Sequence, residues 1–389
     1  MTSTLGEIFY EVGVMVTVFE HTGSALQTVG VTIAKTLPAL ALGPFAGVAV
    51  DHYSRKAILV GVDLLRAGLV GGLILLVGDS EVDVWSVYAV VAGLALVSAF
   101  HTPARLAVIP ALVDRAQLVE ANSLLIGTRQ AGLAAGYALG GMLILAMGFE
   151  RLILVNMGCF VAAALAVFAI SLRRIVVETE ADDRASILRD IVDGLAYLRR
   201  HVLARPLVIM EVLEHLPHGI WNSALMLVFT QQALKAGADG WGYQNAAFYL
   251  GQIAGSALAV GLASWMSRRA GWVIVGDAFL GGLFTLGYAL SPGLGIAILF
   301  SALMGPASAM RDVAQDSLLQ SCLDDRLMGR VYATRSVFTQ VVFMLGGVAF
   351  AWLADQVNIR WIYVAGGALY LGTGLYALAS RAIRRSEIA

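Results

Sequence analysis

The chain has 389 residues, of which 59% are hydrophobic and only 14% are charged, and its formal net charge is −1. A soluble domain is about 45–50% apolar and about 25% charged, so this composition excludes an ordinary soluble protein and also a disordered one. The near-neutral charge argues against a nucleic-acid-binding protein, and two cysteines are too few for a disulfide framework.

Twelve apolar segments follow one another along the chain, and most approach the length of about 20 residues that a membrane helix needs. They cover residues 5–19, 25–50, 57–78, 84–102, 122–147, 152–172, 207–231, 243–266, 272–291, 294–314, 331–353 and 361–380. The first is short, since a turn is expected at Glu20–Gly23. Either the functional chain begins upstream, or this first helix is tilted in a locally thinned bilayer.

A polar interval, residues 173–206, separates six segments on each side. Within it, apolar residues recur at helical spacing among charged ones, which predicts an amphipathic helix on the inner membrane surface. These residues are Ile187, Ile191, Leu195 and Leu198. We therefore expect an N-terminal six-helix half (1–172), a cytoplasmic linker (173–206) and a C-terminal six-helix half (207–389).

The positions of lysine and arginine predict the orientation. If both termini are cytoplasmic, the inner loops and the tail hold nineteen of the 26 basic residues, and the outer loops hold only three. Because cytoplasmic loops of membrane proteins carry an excess of Lys and Arg, we expect both termini in the cytoplasm and the chain in the inner cell membrane.

The two halves also resemble each other. A displacement of 206 residues places Arg105 on Arg311, and Thr128–Arg129 on Thr334–Arg335. It also places Leu139–Gly140–Gly141 on Leu345–Gly346–Gly347. Two parallel six-helix repeats are the architecture of transporters whose halves rock against each other.

Four stretches resemble motifs of the major facilitator superfamily or of one of its branches. The loop after the second segment runs Gly43-Pro-Phe-Ala-Gly47-Val-Ala-Val-Asp51-His-Tyr-Ser-Arg55-Lys56 and is similar to the superfamily's loop signature. In the fifth segment, the stripe of Gly132, Gly136, Gly140 and Gly141 resembles its antiporter motif, with Tyr137 where that motif usually has Pro and Ser123 where it has Gly. The segment from Pro110 to Asn122, and the sequence Leu327-Met-Gly329-Arg330-Val331, resemble the branch that contains macrolide-efflux proteins and the enterobactin exporter.

The resemblance implies the fold of that superfamily: an all-α membrane protein with twelve transmembrane helices, arranged as two six-helix repeats around a central cavity. It also implies secondary transport by alternating access. We interpret Asp51 as a latch between states, while the glycine stripe of the fifth segment serves either helix packing or gating.

Ionisable residues inside spans are the best candidates for transport chemistry, because each costs about 2.5–3.5 kcal/mol on insertion scales unless paired or hydrated. In the first span, Glu7 and Glu11 lie on one helical face with Tyr10 beside them, and Lys35 lies at similar depth in the second span. A Glu–Lys pair would neutralise itself. We favour the alternative that one Lys shared by two carboxylates leaves one able to take a proton, Glu11 first and Glu7 second, since Glu11 is deeper.

The seventh span carries a second polar face. Glu211, His215, His218 and Asn222 share one side of a continuous helix, and either histidine is a candidate proton relay. Glu211 is either part of this face or only a solvated residue at its inner mouth. The candidates for lining the substrate cavity are Tyr10, Glu214, Trp221, Asn222, Tyr249 and Gln252.

The remaining charges in spans have simpler interpretations. Asp63 and Arg66 are spaced to pair with each other, and Asp277 has no obvious partner. The repeat mates Arg129 and Arg335 either bind an anionic substrate or, as we favour, anchor the inner gate by pairing with a carboxylate such as Asp51.

The leading hypothesis is proton-coupled efflux, by antiport, of an amphipathic drug-like or siderophore-like molecule. The alternative is a flippase of the same fold for lipids or lysolipids. The sequence lacks a Walker A motif, His-Glu-x-x-His and Gly-x-Ser-x-Gly, which argues against an ATP-driven pump and an intramembrane enzyme. We expect a monomer whose partners are a small molecule, the proton and membrane lipid, without nucleic acid, cofactor or metal.

Overall fold

A computed structural model describes residues 2–52, 54–77, 83–101, 104–105, 118–169, 187–323 and 325–388. Side chains are described for these residues except 2–3, 43–52, 55, 75–77, 118–127, 187–193, 325–329 and 333. The described part of the chain is helical and contains no β-strand, which confirms the predicted all-α class.

Within the described residues, the helices of the first half are α1 (Thr2–Thr22), α2 (Ala25–His52), α3 (Arg55–Val77), α4 (Val84–Ser98) and α5 (Leu118–Ala169). After them come α6 (Ile187–Arg200), α7 (Ala204–His218), α8 (Ser223–Gln232), α9 (Ala238–Gly261) and α10 (Ala263–Arg268). The last five are α11 (Ala270–Ala289), α12 (Leu294–Cys322), α13 (Asp325–Ala354), α14 (Ile359–Ala379) and α15 (Arg381–Arg384).

Each of the twelve predicted apolar segments coincides over most of its length with helix. Within the described residues, seven helices are long and apolar enough to cross a membrane. The protein is therefore a multi-pass membrane protein, and the count of twelve spans stays a prediction.

Glycines with positive φ lie at two breaks between helical segments, of which the first is the predicted turn at Glu20–Gly23. Gly23 (φ +62°) follows the end of α1, and Gly148 (φ +76°) interrupts α5 between two predicted segments. Glycine adopts this backbone region without the steric cost that a Cβ imposes. The helix α1 is longer than expected, because it has 21 residues and continues through Glu20. At 1.5 Å per residue this length is about 30 Å. The helix α1 is not among the seven described helices that are apolar enough to cross a membrane, so the short first span stays a prediction.

The seventh segment is broken, in contrast to the expected continuous helix. Pro217 lies in the last turn of α7, a 3₁₀ turn follows at Gly219–Trp221, and Asn222 then caps α8 through a 2.9 Å bond from the backbone N–H of Ala224. Proline removes a backbone donor and clashes with the preceding turn, which favours ending the helix here.

The chain divides into two compact units. The N unit comprises residues Met1–Asp182 and Gly237–Ala246, and the C unit comprises Asp183–Ala236 and Ala247–Ala389. The domain boundaries derived from the sequence stay a prediction.

In the N unit, α1 packs mainly against α5, which also contacts α3, and α2 packs against α4. The glycine stripe makes the α1–α5 approach close. A Cβ on Gly136 would lie 3.0 Å from Ile8, and one on Gly140 would lie 3.1 Å from Val12. Gly141 faces the backbone carbonyl of Ala238 with no room for a Cβ. These contacts favour the packing interpretation of the stripe.

In the C unit, α11 packs against α12 and α14, and α7 packs against α13 and α14. The α7–α13 approach uses Gly346, whose position leaves no room for a Cβ beside the carbonyl of Leu216. Gly346 is the repeat mate of Gly140. The repeated Leu-Gly-Gly sequence therefore lies at a close helix crossing in each unit.

The predicted amphipathic helix is present as α6, and it belongs to the C unit. Its Gly194 lies against Thr334 and the backbone of Arg330 on α13, and its buried Leu198 joins the apolar core with Leu207 and Leu318. Part of its apolar face is therefore covered by protein, and its role as a linker stays a prediction.

Candidate functional site

A cavity of about 450 Å³ lies inside the C unit, between side chains of α7, α9, α11, α12, α13 and α14. Its wall is unusually polar for an apolar helical bundle. It holds five carboxylates, two arginines and two histidines, with four aromatic rings among them. Because a charged group within a span is costly unless it is paired or hydrated, this concentration of charge marks a site.

Two arginines on the wall each join two carboxylates. Arg335 donates from Nε to Glu211 (2.6 Å) and from Nη1 to Asp316 (2.5 Å). Arg311 pairs with Glu214 and donates from Nη1 to Asp312 at 2.9 Å. A buried charge needs a partner of opposite sign, so these pairs hold α7, α12 and α13 together around the cavity.

The structure corrects the interpretation of Glu211 as a solvated residue at the mouth. Its carboxylate is buried, with 4% of the residue exposed, and it accepts a second bond at 2.6 Å from Nε2 of Gln315. Arg311 is one of the nineteen basic residues assigned to the inner loops and the tail, and that assignment is corrected too. It lies within α12 with 8% exposed, inside the predicted segment 294–314, and the helix itself continues to Cys322.

Both histidines of α7 reach the cavity wall, with ring centroids 5.8 Å apart. His215 donates from Nδ1 to the backbone carbonyl of Glu211 at 2.8 Å, within its own helix. His218 Nδ1 is hydrogen-bonded to the hydroxyl of Tyr370 at 2.8 Å. Of the residues predicted to line the cavity, Glu214, Tyr249 and Gln252 are on the same wall.

Trp221 and Asn222 are not among the residues that line this cavity, and their place in the substrate cavity stays a prediction. Trp221 packs on the rings of Tyr288 and Tyr363 and donates to Thr285 Oγ1 at 3.2 Å, and Asn222 caps α8. The predicted polar face assumed one continuous helix. The break at Gly219–Trp221 places the residues that follow it on a different side.

Asp277 on α11 also lines the cavity, half-buried. Within the described part of the chain it has no hydrogen bond and no salt bridge, although Glu214, Arg311 and Asp312 act on it electrostatically. The other four carboxylates of the wall all have an arginine partner.

In the N unit, Glu11 is buried and both of its oxygens have partners. Lys35 Nζ lies 2.5 Å from Oε2, and the hydroxyl of Tyr137 donates to Oε1 at 3.1 Å. Lys35 is therefore paired with Glu11 and not shared equally with Glu7. Glu7 is influenced electrostatically by Lys35, Arg66, His101 and Arg129. Tyr10 is buried beside this group.

The charge pair expected on α3 is present. Arg66 Nη1 lies 3.4 Å from Asp63 Oδ1, and Arg66 Nε donates to Ser98 Oγ at 2.8 Å. The bond to Ser98 joins α3 to α4, and both charged side chains are buried.

The motif residues of the inner loops are described only in part. Gly43 and Gly47 lie on α2, whereas the side chains of Asp51 and Arg55 lie outside the described residues. Lys56 Nζ lies 5.2 Å from the centre of the Phe168 ring. Arg129 is exposed, so the expected gate pair of the N unit stays a prediction. In the C unit, the carboxylates that pair with Arg335 are Glu211 and Asp316.

Sequence reasoning missed five members of these two charge networks. They are Tyr137, Arg311, Asp312, Gln315 and Asp316. The repeat had already singled out Arg311 as the mate of Arg105, and a scarce charge that recurs in both halves is the signal that could have placed it inside a helix. Among the described residues, no group of three His, Cys, Asp or Glu is arranged to hold a metal ion.

Comparison with known proteins gives consistent results. The family model for transmembrane secretion effectors matches residues 1–388. The chain is 31% identical over 339 residues to the uncharacterized MFS-type transporter YjbB of Bacillus subtilis (strain 168), covering 83% of this chain and 79% of that protein. It is 24% identical over 371 residues to macrolide efflux protein A of Streptococcus pyogenes, covering 95% and 91%. A solved structure of the nucleoside transporter NupG, in a mutant form, matches with a TM-score of 0.73 at 11% identity over 98% of each chain, which shows the shared fold.

Proposed function

The chain belongs to the transmembrane secretion effector family of the major facilitator superfamily, and we propose that it is a secondary active exporter of amphipathic small molecules. The family and the matched relatives are transporters, so the chain is a transporter and not an enzyme. The proposal for its substrates, drug-like or siderophore-like molecules, is supported by the similarity to a protein named for macrolide efflux.

The observation that carries the proposal is the cavity of the C unit. Its volume of about 450 Å³ lies within the range of about 300–1,000 Å³ that is usual for small-molecule pockets. Aromatic rings next to charged and amide groups suit a ligand that has both an apolar body and polar groups.

We propose that twelve spans form two six-helix repeats, residues 1–172 and 207–389, joined by the linker 173–206. Both termini lie in the cytoplasm, the protein resides in the inner membrane as a monomer, and the halves alternate in access. The excess of basic residues in the inner loops and the repeated Leu-Gly-Gly sequence support this arrangement.

Export is coupled to the proton through α1 in this proposal, with Glu11 as the first candidate and Glu7 as the second. Protonation of Glu11 would remove the charge that compensates Lys35, 2.5 Å away, and would leave a half-buried ammonium group without its partner. Binding of the proton to Glu11 therefore favours a rearrangement around α1 and α2. His215 and His218 are the candidates if the coupling lies in the C unit instead.

Efflux assays test the proposal. Cells that express the protein and cells that lack it are loaded with fluorescent dyes, macrolides or siderophores, and retention is followed with and without an uncoupler. We expect cells that express the protein to retain less of at least one compound than cells that lack it. The uncoupler should abolish this difference. Translocation of a labelled lysolipid, with no efflux of the other compounds, would favour the flippase alternative.

A further inference from the structure

One carboxylate on the wall of the C-unit cavity differs from the other four. Glu211, Glu214, Asp312 and Asp316 each have an arginine partner, whereas Asp277 has neither a salt bridge nor a hydrogen bond within the described residues. We propose that Asp277 binds the positively charged group of the transported molecule, and that the substrate is therefore an amphipathic organic cation. This inference deepens the proposed function and assigns the substrate class.

The charge balance of the cavity favours a cation. Five carboxylates face two arginines, so with neutral histidines the lining carries a formal charge of −3. Arg311 acts on Asp277, but its own charge is already compensated by Glu214 and Asp312. A positive group next to Asp277 lowers the electrostatic energy of the wall, and an anion raises it.

The surroundings of Asp277 also suit the apolar part of such a molecule. Phe248, Tyr249, Phe284 and Tyr370 line the same cavity. Aromatic faces attract cations through the ring quadrupole and bury apolar surface at the same time. Phe284 lies seven residues after Asp277, two turns along α11, so both side chains lie on one face of that helix.

A buried donor on the wall also lacks a partner. Arg311 lines the cavity and is more than nine-tenths buried, and its Nε has no hydrogen bond within the described residues. Buried polar groups are almost always satisfied by protein, water or ligand. This unused donor is an observation independent of the acidic residues, and a polar atom of a bound molecule is one partner that would satisfy it.

The test measures binding directly, without transport. Purified protein in detergent is titrated with ethidium, a permanent planar cation, and with fluorescein, an anionic dye, and bound dye is followed by fluorescence anisotropy. We expect ethidium to bind and fluorescein not to bind. Asp277→Asn keeps the shape of the side chain and should weaken ethidium binding about tenfold or more, the loss of one charged contact of about 1.4 kcal/mol or more.

Two further variants make the result specific. Asp355→Asn removes a carboxylate that is exposed at the end of α13, outside the cavity, and should bind ethidium like the wild type. Phe284→Leu removes a ring but retains an apolar side chain, and should weaken ethidium binding by a smaller factor. The melting temperature of each variant shows whether it is folded.

The outcomes separate this inference from the proposed function. If folded Asp277→Asn binds ethidium as tightly as the wild type, or if fluorescein binds equally well, the inference is wrong even when the cells export another compound. If Asp277→Asn and Asp355→Asn lose binding equally, the effect is one of general charge and the inference also fails. If the cation binds at Asp277 but no compound is exported, the site stands and the proposed function is wrong.

Discussion

Glu11 shows what a single buried charge demands of its surroundings. Its side chain lies in an apolar helix, with 6% of the residue exposed, and it is held by an ammonium group on α2 and a hydroxyl group on α5. Tyr137 occupies the position at which the antiporter motif of the superfamily usually has proline. In this chain the departure from the motif provides a hydrogen-bond donor for the candidate coupling residue.

We predict that Glu11→Gln abolishes the response of transport to a pH gradient. Glutamine keeps the shape and the bond from Tyr137 but cannot take up or release a proton, so downhill exchange of substrate should continue. The measurement is substrate flux in everted vesicles with an imposed pH gradient, for wild type, Glu11→Gln and Glu7→Gln.

The matched control for that experiment is Glu20→Gln, an exposed carboxylate on the same helix, which should respond like the wild type. If both Glu11→Gln and Glu7→Gln still follow the gradient, α1 is not the coupling site. The histidines of α7 then become the next candidates.

Arg335 supports a prediction about stability. Arg335→Gln leaves Glu211 buried without its cation, and removal of one partner from a buried ion pair destabilises a protein by about 3–5 kcal/mol. We expect a clearly lower melting temperature in detergent. The control is Arg381→Gln, which changes an exposed arginine after α14 and should leave the melting temperature unchanged.

The double variant Arg335→Gln with Glu211→Gln distinguishes the pair from a general effect of charge. Because both charges are then absent, its melting temperature should exceed that of Arg335→Gln alone. The single variant Glu211→Gln completes the comparison. If the loss of stability in the double variant equals the sum of the losses in the two single variants, the two side chains do not act on each other.

At the scale of the element, α5 and α13 are positioned by glycines that let a neighbouring backbone come close. A helix interior disfavours glycine by about 1 kcal/mol relative to alanine, so glycine is useful there only where a Cβ would collide. Gly141 and Gly346 meet that condition, since each faces a backbone carbonyl oxygen of another helix.

Two substitutions in the same helix test this interpretation. Gly141→Ala places a methyl group against the carbonyl of Ala238 and should destabilise the protein by about 1–3 kcal/mol, the usual cost of overpacking. Gly158→Ala, also in α5, meets no atom within 4 Å and should be neutral or stabilising. The melting temperatures of the two variants are compared with the wild type, and equal shifts would contradict the role of close approach.

At the scale of the whole molecule, the excess of basic residues in the inner loops predicts where the ends lie. The removal of Arg311 from that count does not change the bias, since it belongs to α12. We predict that tags at the N- and C-termini are accessible only from the cytoplasm. Labelling of intact cells and of permeabilised cells with a membrane-impermeant reagent measures this, and labelling of either tag in intact cells would contradict the orientation.

The sequence by itself determined the class of the protein, its family and the positions of most helices. These properties follow from local composition and from motifs, because a bilayer requires long apolar segments whose backbone bonds are satisfied within each helix. The turns at Gly23 and Gly148 and the pairing of Asp63 with Arg66 were predictable for the same reason. Each depends on residues that are close together in the chain.

The partners of the other buried charges were decided only by the tertiary structure. Glu11 is joined to Tyr137 and Glu211 to Arg335, across 126 and 124 residues. No local pattern distinguishes Lys35 shared between two carboxylates from Lys35 paired with one of them. The choice depends on which helices pack together and how far each continues. The continuation of α12 past residue 314 brings Asp316 to the cavity, and the break after Pro217 turns Trp221 and Asn222 away from it. Both features depend on helix ends, where sequence patterns are least informative.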